Sequence, residues 1–265
     1  MLLRIVALFV LVFASPVRAY AQEAEDPNFD YLEPDIGLLS TWSRIQESLF
    51  RRAAHPGSYN EAKRLLYNQL DDSASLYCGC TLDLRARTFD ATDCGYVPRN
   101  DNDRAKRVEV EHVVPAFWLD KFHTGPTCWI KADACGSARE CCLANDARFR
   151  DAHNDLVNLY PAIGELNGDR SNLPYGQIDG EARVYGQCDF EIDANLDLAE
   201  PRDDVRGDIA RVYFYMSAAY GLTFPADLKA MLDEWNASDP VSPSEVTRND
   251  NIRAVQGHAN DLVSK

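Results

Sequence analysis

The sequence predicts a single α+β domain, mainly helical and stabilised by disulfides. Three observations carry this. Several segments place apolar residues at helical spacing around one strand-like run. Eight cysteines lie behind an amino-terminal export signal. No repeat, low-complexity linker or composition break divides the 265 residues. With 46% hydrophobic residues the chain can bury a core, so a disordered or fibrous protein is excluded.

Residues 1–21 carry Arg4, an apolar run from Ile5 to Ala14 and a small-x-small ending, Ala19-Tyr20-Ala21. The run is too short to span a bilayer, so it reads as a secretory signal peptide and not an anchor. The mature chain, 22–265, is then a single domain without a membrane span, periplasmic or secreted, with 22–35 loose and acidic. Leu39, Trp42, Ile45 and Leu49 predict a helix over Ile36 to Ala54, and a second spans Tyr59 to Leu70 with Asn60 as cap. Residues 75–113 read as irregular or extended chain, and Val108 to Val114 as a strand stopped by Pro115. Residues 123–147 are Gly- and Cys-rich and predict a disulfide-held loop. A helix is expected from near Pro161 to Arg170, another over 203–221 closed by Gly221, and a last one over 225–236.

In an oxidising compartment the cysteines should pair, though eight allow 105 connectivities. Zinc is the competing use of Cys128, Cys135, Cys141 and Cys142. The paired C-x2–4-C knuckles of thiolate zinc sites are missing, which favours disulfides.

Two segments concentrate chemistry-bearing residues. In Val108 to Ala116 (VEVEHVVPA), His112 has the pKa range of a general base and Glu111 is a hard oxygen ligand. Neighbours on a strand face opposite ways, so both serve one cleft only where the strand ends or bulges. Alternatively, Glu109 and Glu111 line an exposed edge and His112 is a core histidine. In Asp155 to Asn172 (DLVNLYPAIGELNGDRSN), Ile163, Asn167 and Arg170 share a helix face. Asn167 offers a neutral oxygen for Mg²⁺ or Ca²⁺, or else a helix cap before Gly168; Asp169 and Arg170 read as a structural salt bridge.

Together these segments resemble the endonuclease I family, periplasmic and secreted nonspecific nucleases with a ββα-metal (His-Me finger) core. The resemblance rests on YCGC at 77–80, CGY at 94–96, NDNDRAKRVEVEHVVPA at 100–116 and Cys128-Trp129. It continues through ARECC at 138–142, NLYPAIGELNGDRSN at 158–172, YGQCDF at 185–190, RGDIARVYFYM at 206–216 and AVQG at 254–257. It implies hydrolysis of DNA, and of RNA, to 5′-phosphate ends without sequence specificity, by a monomer. His112 would activate water, Glu111 and Asn167 would hold Mg²⁺ (Ca²⁺ or Mn²⁺ as substitutes), and Arg139 would stabilise the phosphate, with Lys131 as fallback. Asn158 would orient the site by hydrogen bonds. The alternative is a secreted module that keeps the fold without turnover; the presence of all four site residues argues against it.

Relatives often carry cysteines near the carboxyl terminus; here Cys135 and Cys141 are expected to form the extra pair instead. His153 stands where the resemblance leads one to expect an acid, and reads as a solvent-side substitution. Removal of residues 1–21 takes the net charge from -15 to -17, awkward for a protein that grips a polyanion. Arg99, Arg104, Lys106 and Arg107 soften it locally, and Arg148, Arg150 and Arg170 are expected to extend a basic track. The acidic remainder predicts tolerance of, or preference for, raised salt.

Overall fold

A serine starts the first helix. Ser58 Oγ accepts the amide of Glu61 at 3.2 Å and caps α1 (Tyr59–Gln69), so Asn60 lies inside the helix and not at its cap. The computed structural model describes residues 55–130, 135–180 and 182–264. The expected signal peptide, the loose 22–35 segment, the helix over 36–54 and Lys131 lie outside the described residues.

After α1 the chain forms a two-residue hairpin, β1 (Leu82–Asp83) with β2 (Thr88–Phe89), within the extended region expected over 75–113. The strand β3 is Val108–His112, two residues shorter than its apolar run suggests. Val113 and Val114 leave the ladder because Asn158 claims them: its carbonyl and its Oδ1 accept their amides at 3.0 and 2.7 Å. Then come α2 (Ala116–Lys121), α3 (Ala138–Asn145) and α4 (Ala147–Asn154). α3 corrects the reading of 123–147 as loop throughout, and α4 starts at its last residue; Ser137 and Asp146 cap them, signals masked by the glycines and cysteines around them.

The largest departure is at Pro161. It sits in a strand, β4 (Leu159–Ile163), antiparallel to β3 with Glu111 opposite Tyr160 and His112 opposite Leu159. Proline survives there because β3 and β4 make a two-stranded sheet, leaving β4 an edge free of ladder bonds. The helix α5 (Gly164–Arg170) starts three residues later than expected. Gly164 lets it start against the strand: a Cβ there would lie 2.7 Å from the Arg104 carbonyl oxygen. β3, β4 and α5 thus form the expected ββα unit, with 46 residues inserted between its strands.

A further hairpin, β5 (Phe190–Asp193) with β6 (Leu198–Pro201), precedes α6 (Arg206–Tyr220), which Gly221 closes in a left-handed conformation as expected. Then follow α7 (Ala226–Ser238) and α8 (Pro243–Gln256), the latter capped by Ser242 and unanticipated from its mainly polar sequence. One continuous core joins Leu66 of α1, Val108 and Val110 of β3, Ala162 of β4, Leu166 of α5 and Tyr213 of α6. All eight cysteines pair, as Cys78–Cys188, Cys80–Cys94, Cys128–Cys142 and Cys135–Cys141. The sulfurs are therefore spent, and zinc bound by cysteines is excluded; the Cys135–Cys141 pair is the one expected. No helix among the described residues is long and apolar enough to cross a membrane.

Candidate active site

The ends of β3 and α5 open on a cleft of about 1150 Å³ lined by Glu111, His112, Arg139 and Asn167 among others. Placing Glu111 and His112 on one cleft is possible because the strand ends at His112 and the chain bends away. Glu111 turns towards α5 and His112 towards α4.

Glu111 is almost fully buried, and one of its oxygens, Oε1, accepts Tyr77 OH at 2.6 Å and Arg170 Nη1 at 2.9 Å. Arg170 is completely buried. It also donates to the carbonyls of His112 and Val113 at 2.9 Å each and lies 4.3 Å from the Tyr175 ring centroid. Asp169 and Arg170 are therefore not a pair: Asp169 takes Arg99 at 2.6 Å and Tyr185 OH at 2.7 Å, since successive helical residues point apart. Burial pushes the Glu111 carboxyl up, and Arg170 only partly offsets it.

Asn167 lies inside α5, so the helix-cap alternative fails. Its Nδ2 donates to Glu109 Oε2 at 3.1 Å, which leaves Oδ1 without a protein donor among the described residues. The second Glu111 oxygen takes no side-chain donor either. A carboxylate held in a buried site and an unsatisfied amide oxygen are the donor set of a hard, hydrated cation, so the residues present fit Mg²⁺ or a similar ion.

His112 is buried with Nε2 2.8 Å from the His153 carbonyl oxygen. A carbonyl only accepts, so Nε2 carries the proton and Nδ1 keeps the lone pair. Burial, and then His153, hold His112 well below the ordinary histidine range, so its neutral form prevails at pH 7. His153 itself corrects the sequence reading. It is fully buried, its ring centroid 4.3 Å from that of His112 and 4.8 Å from that of Tyr59. Asn158 spends both amide atoms on Val114, accepting at 2.7 Å and donating at 3.0 Å, and so shapes the bend that ends β3.

Arg139 is exposed on α3 and makes no ion pair among the described residues. Two disulfides, through Cys141 and Cys142, pin its helix. The other basic groups of the cleft are only partly those expected. Arg148 and Arg150 bond the backbone carbonyls of Leu119 and Leu143, and Arg170 is interior, so none extends a basic track. Arg104 and Arg107, counted in sequence as local positive charge, do line the cleft, joined by Lys63 and Arg64 of α1 and by Arg87, with Glu109 held between Arg104 and Arg107 at 2.6 Å each. An amphipathic helix such as α1 shows its charged face in sequence but not what that face overlooks.

The family model for endonuclease I matches residues 54–265. The chain belongs to the endonuclease I family. It is 39% identical over 193 residues to "Endonuclease-1" of Buchnera aphidicola subsp. Acyrthosiphon pisum (strain APS), covering 72% of this chain and 74% of that one. A "Periplasmic deoxyribonuclease" of Aeromonas hydrophila is 35% identical, over 72% of this chain and 78% of its own. An "Extracellular deoxyribonuclease" of the same organism is 35% identical, over 86% and 97%. The protein is thus a nuclease, a hydrolase of a metal-dependent family.

Proposed function

We propose that this member of the endonuclease I family is exported on residues 1–21 and that 22–265 form one nuclease domain acting as a monomer. It hydrolyses DNA and RNA without sequence specificity, leaving 5′-phosphate ends. The observation that carries this is the convergence of Glu111, His112, Asn167 and Arg139 on one cleft whose rim is basic. The sequence carries no zinc-finger pattern or other base-reading motif, which supports recognition through phosphate and sugar contacts.

Glu111 and Asn167 would hold Mg²⁺, with Ca²⁺ or Mn²⁺ as substitutes; two protein ligands leave about four of six positions to water and phosphate oxygens. When bound, the ion supplies Lewis acidity to the phosphoryl oxygen and neutralises charge developing on the leaving 3′ oxygen. His112 Nδ1 takes the proton of the attacking water, and the His153 carbonyl holds the ring in the required tautomer. Arg139 sits free to close a fork on the scissile phosphate. Arg170 and Tyr77 fix the Glu111 carboxylate from behind.

The test is degradation of supercoiled plasmid and of RNA by the oxidised protein, with Mg²⁺ or EDTA, beside His112→Ala. Mg²⁺-dependent cleavage of both substrates, reduced ~10²–10⁴-fold in the variant, is expected. Cleavage untouched by the substitution would overturn the site. No cleavage in any metal or salt would leave a secreted nucleic-acid-binding module.

A further inference from the structure

A second constellation of ligand-type side chains, none of which lines the cleft, is made of His55, Asp155 and His258. Asp155 is fully buried, and the two histidines keep side-chain exposures of 18% and 16%. One carboxylate oxygen, Oδ2, lies 3.5 Å from His258 Nε2 and 4.0 Å from His55 Nδ1, and one ligand atom from each residue falls within 4.8 Å of the others.

Hydrogen-bond accounting fixes what these atoms present to one another. Leu156 donates its amide to Gln256 Oε1 at 3.1 Å, so the other end of that side chain is its NH₂ group. That NH₂ lies 2.8 Å from Asp155 Oδ1 and 3.2 Å from His258 Nε2. An NH₂ group only donates, so His258 Nε2 holds a lone pair. The ring proton then sits on Nδ1, 3.1 Å from the Gln256 carbonyl. A nitrogen lone pair and a buried carboxylate oxygen therefore face each other, and 3.5 Å is too long for a charge-assisted bond between them. The Tyr215 and Tyr220 hydroxyls donate to that oxygen and the Gln256 amide to that nitrogen, so an ion entering between them would share or displace these donors.

We propose that His55, Asp155 and His258 form a binding site for a zinc-type transition-metal ion, separate from the catalytic cleft. Two imidazoles and a carboxylate with one position left open is an established zinc donor set, whereas Mg²⁺ prefers oxygen alone. Zinc bonds of about 2.0–2.1 Å in a tetrahedron set donors about 3.3 Å apart, so the 3.5 and 4.0 Å separations need to close by less than 1 Å. The surroundings suit a metal centre. The His258 Nδ1–H bond to a backbone carbonyl orients the ring, as second partners of metal-bound histidines do. Tyr215 and Tyr220 hydroxyls, at 2.7 and 2.6 Å, fix the Asp155 carboxylate.

The three ligands come from the start of the described chain, the turn after α4 and the turn after α8. An ion there would tie residues 55 and 258 to the 153–158 segment. That segment supplies the His153 carbonyl to His112 and Asn158 to Val114.

The experiment incubates the oxidised full-length protein with ZnCl₂, desalts it into Mg²⁺ buffer and measures retained zinc by mass spectrometry, beside His258→Asn and His55→Gln. The wild type should retain about one equivalent more than either variant, because loss of a ligand weakens binding at least as much as the ~10–100-fold typical of outer-shell changes. Zn²⁺ but not Mg²⁺ should raise the wild-type melting temperature, and the rise should vanish in both variants while plasmid cleavage in Mg²⁺ persists. No zinc retained by the wild type, or equal retention in all three, overturns the site and leaves a proton as the cation of Asp155. Should one variant fail to fold, the zinc-specific melting shift of the wild type decides against or for the site in the same way.

Discussion

Arg170 is the residue whose replacement should reveal most about how the site is held. Arg170→Met keeps the aliphatic stem but removes every donor, along with the guanidinium that lies over the Tyr175 ring. The structure then leaves Glu111 Oε1 with Tyr77 alone, and the carbonyls of His112 and Val113 lose Arg170 as their donor. Breaking a buried ion pair from one side costs about 3–5 kcal/mol, since the other charge stays buried and unpaired. For a domain of this size each kcal/mol moves the melting temperature by about 2–4 °C, so a fall of about 6–20 °C is expected. Tyr77→Phe, which removes one hydrogen bond and leaves Arg170 in place, should cost only about 1–3 kcal/mol. Activity should separate from stability. The Mg²⁺ concentration for half-maximal cleavage should rise ~10–100-fold in Arg170→Met, and saturating Mg²⁺ should recover much of the rate, because the ion resupplies the missing positive partner. Thermal unfolding followed by circular dichroism and plasmid cleavage across a Mg²⁺ titration measure the two effects. A variant that melts within 2 °C of the wild type with an unchanged Mg²⁺ midpoint would show that Arg170 does not hold Glu111.

Arg139→Ala should lower the turnover rate ~10²–10³-fold with an unchanged melting temperature, since the side chain is exposed and unpaired among the described residues; steady-state kinetics and thermal unfolding check the two halves. His153 is held at about 4 by burial, below its unfolded 6.5. Its neutral burial therefore costs nothing above pH 6.5 but removes about 3 kcal/mol as pH falls from 6.5 to 4, and urea unfolding of His153→Gln should lose that slope. The disulfides should rank by the chain they enclose: a separation of 110 for Cys78–Cys188 gives about 4.8 kcal/mol, and 6 for Cys135–Cys141 about 2.2 kcal/mol, read from double serine variants. Cleavage should hold or rise as NaCl increases from low concentration; a steady decline from the lowest salt would refute the charge argument below.

The fold was legible where a segment carried its own period or cap and obscured where tertiary contacts overrode them. The helix closed by Gly221 appears as its pattern dictates. Pro161, by contrast, is as compatible with an edge strand as with a first helical turn, and only the pairing with β3 decides between them. Both Asn167 and Arg170 belong to α5, but spacing alone does not say that one opens on a cleft and the other is interior beneath Glu111. His153 looked like a surface residue because histidine in a helix with Arg148, Arg150 and Asp151 has polar company. Its burial follows from the face it shares with Phe149 and Ala152, which packs on Tyr59 and His112. Only the turn before β3, with Arg104 and Arg107, shows its charge in sequence; Lys63 and Arg64 of α1 and Arg87 are far from it in the chain and join the rim only in the fold.

That rim reconciles an acidic chain with a polyanionic substrate. Six cations, Lys63, Arg64, Arg87, Arg104, Arg107 and Arg139, line the cleft against two acids, Glu109 and Glu111. Glu109 binds two of the arginines and Glu111 is neutralised from behind by Arg170, so the field inside the cleft is positive while the chain as a whole carries -15. The two parts of that field act over different ranges. Repulsion between the acidic surface and an approaching duplex is long-ranged and fades as the Debye length shrinks from ~10 Å at 0.1 M salt to ~3 Å at 1 M. Contacts between the rim and phosphates form at bonding distance and are screened less. Counterion release still weakens binding as salt rises, so the two effects oppose each other. On the proposed function, the surface charge would set the salt range in which the nuclease works, while the rim and the ββα residues would set what it cuts.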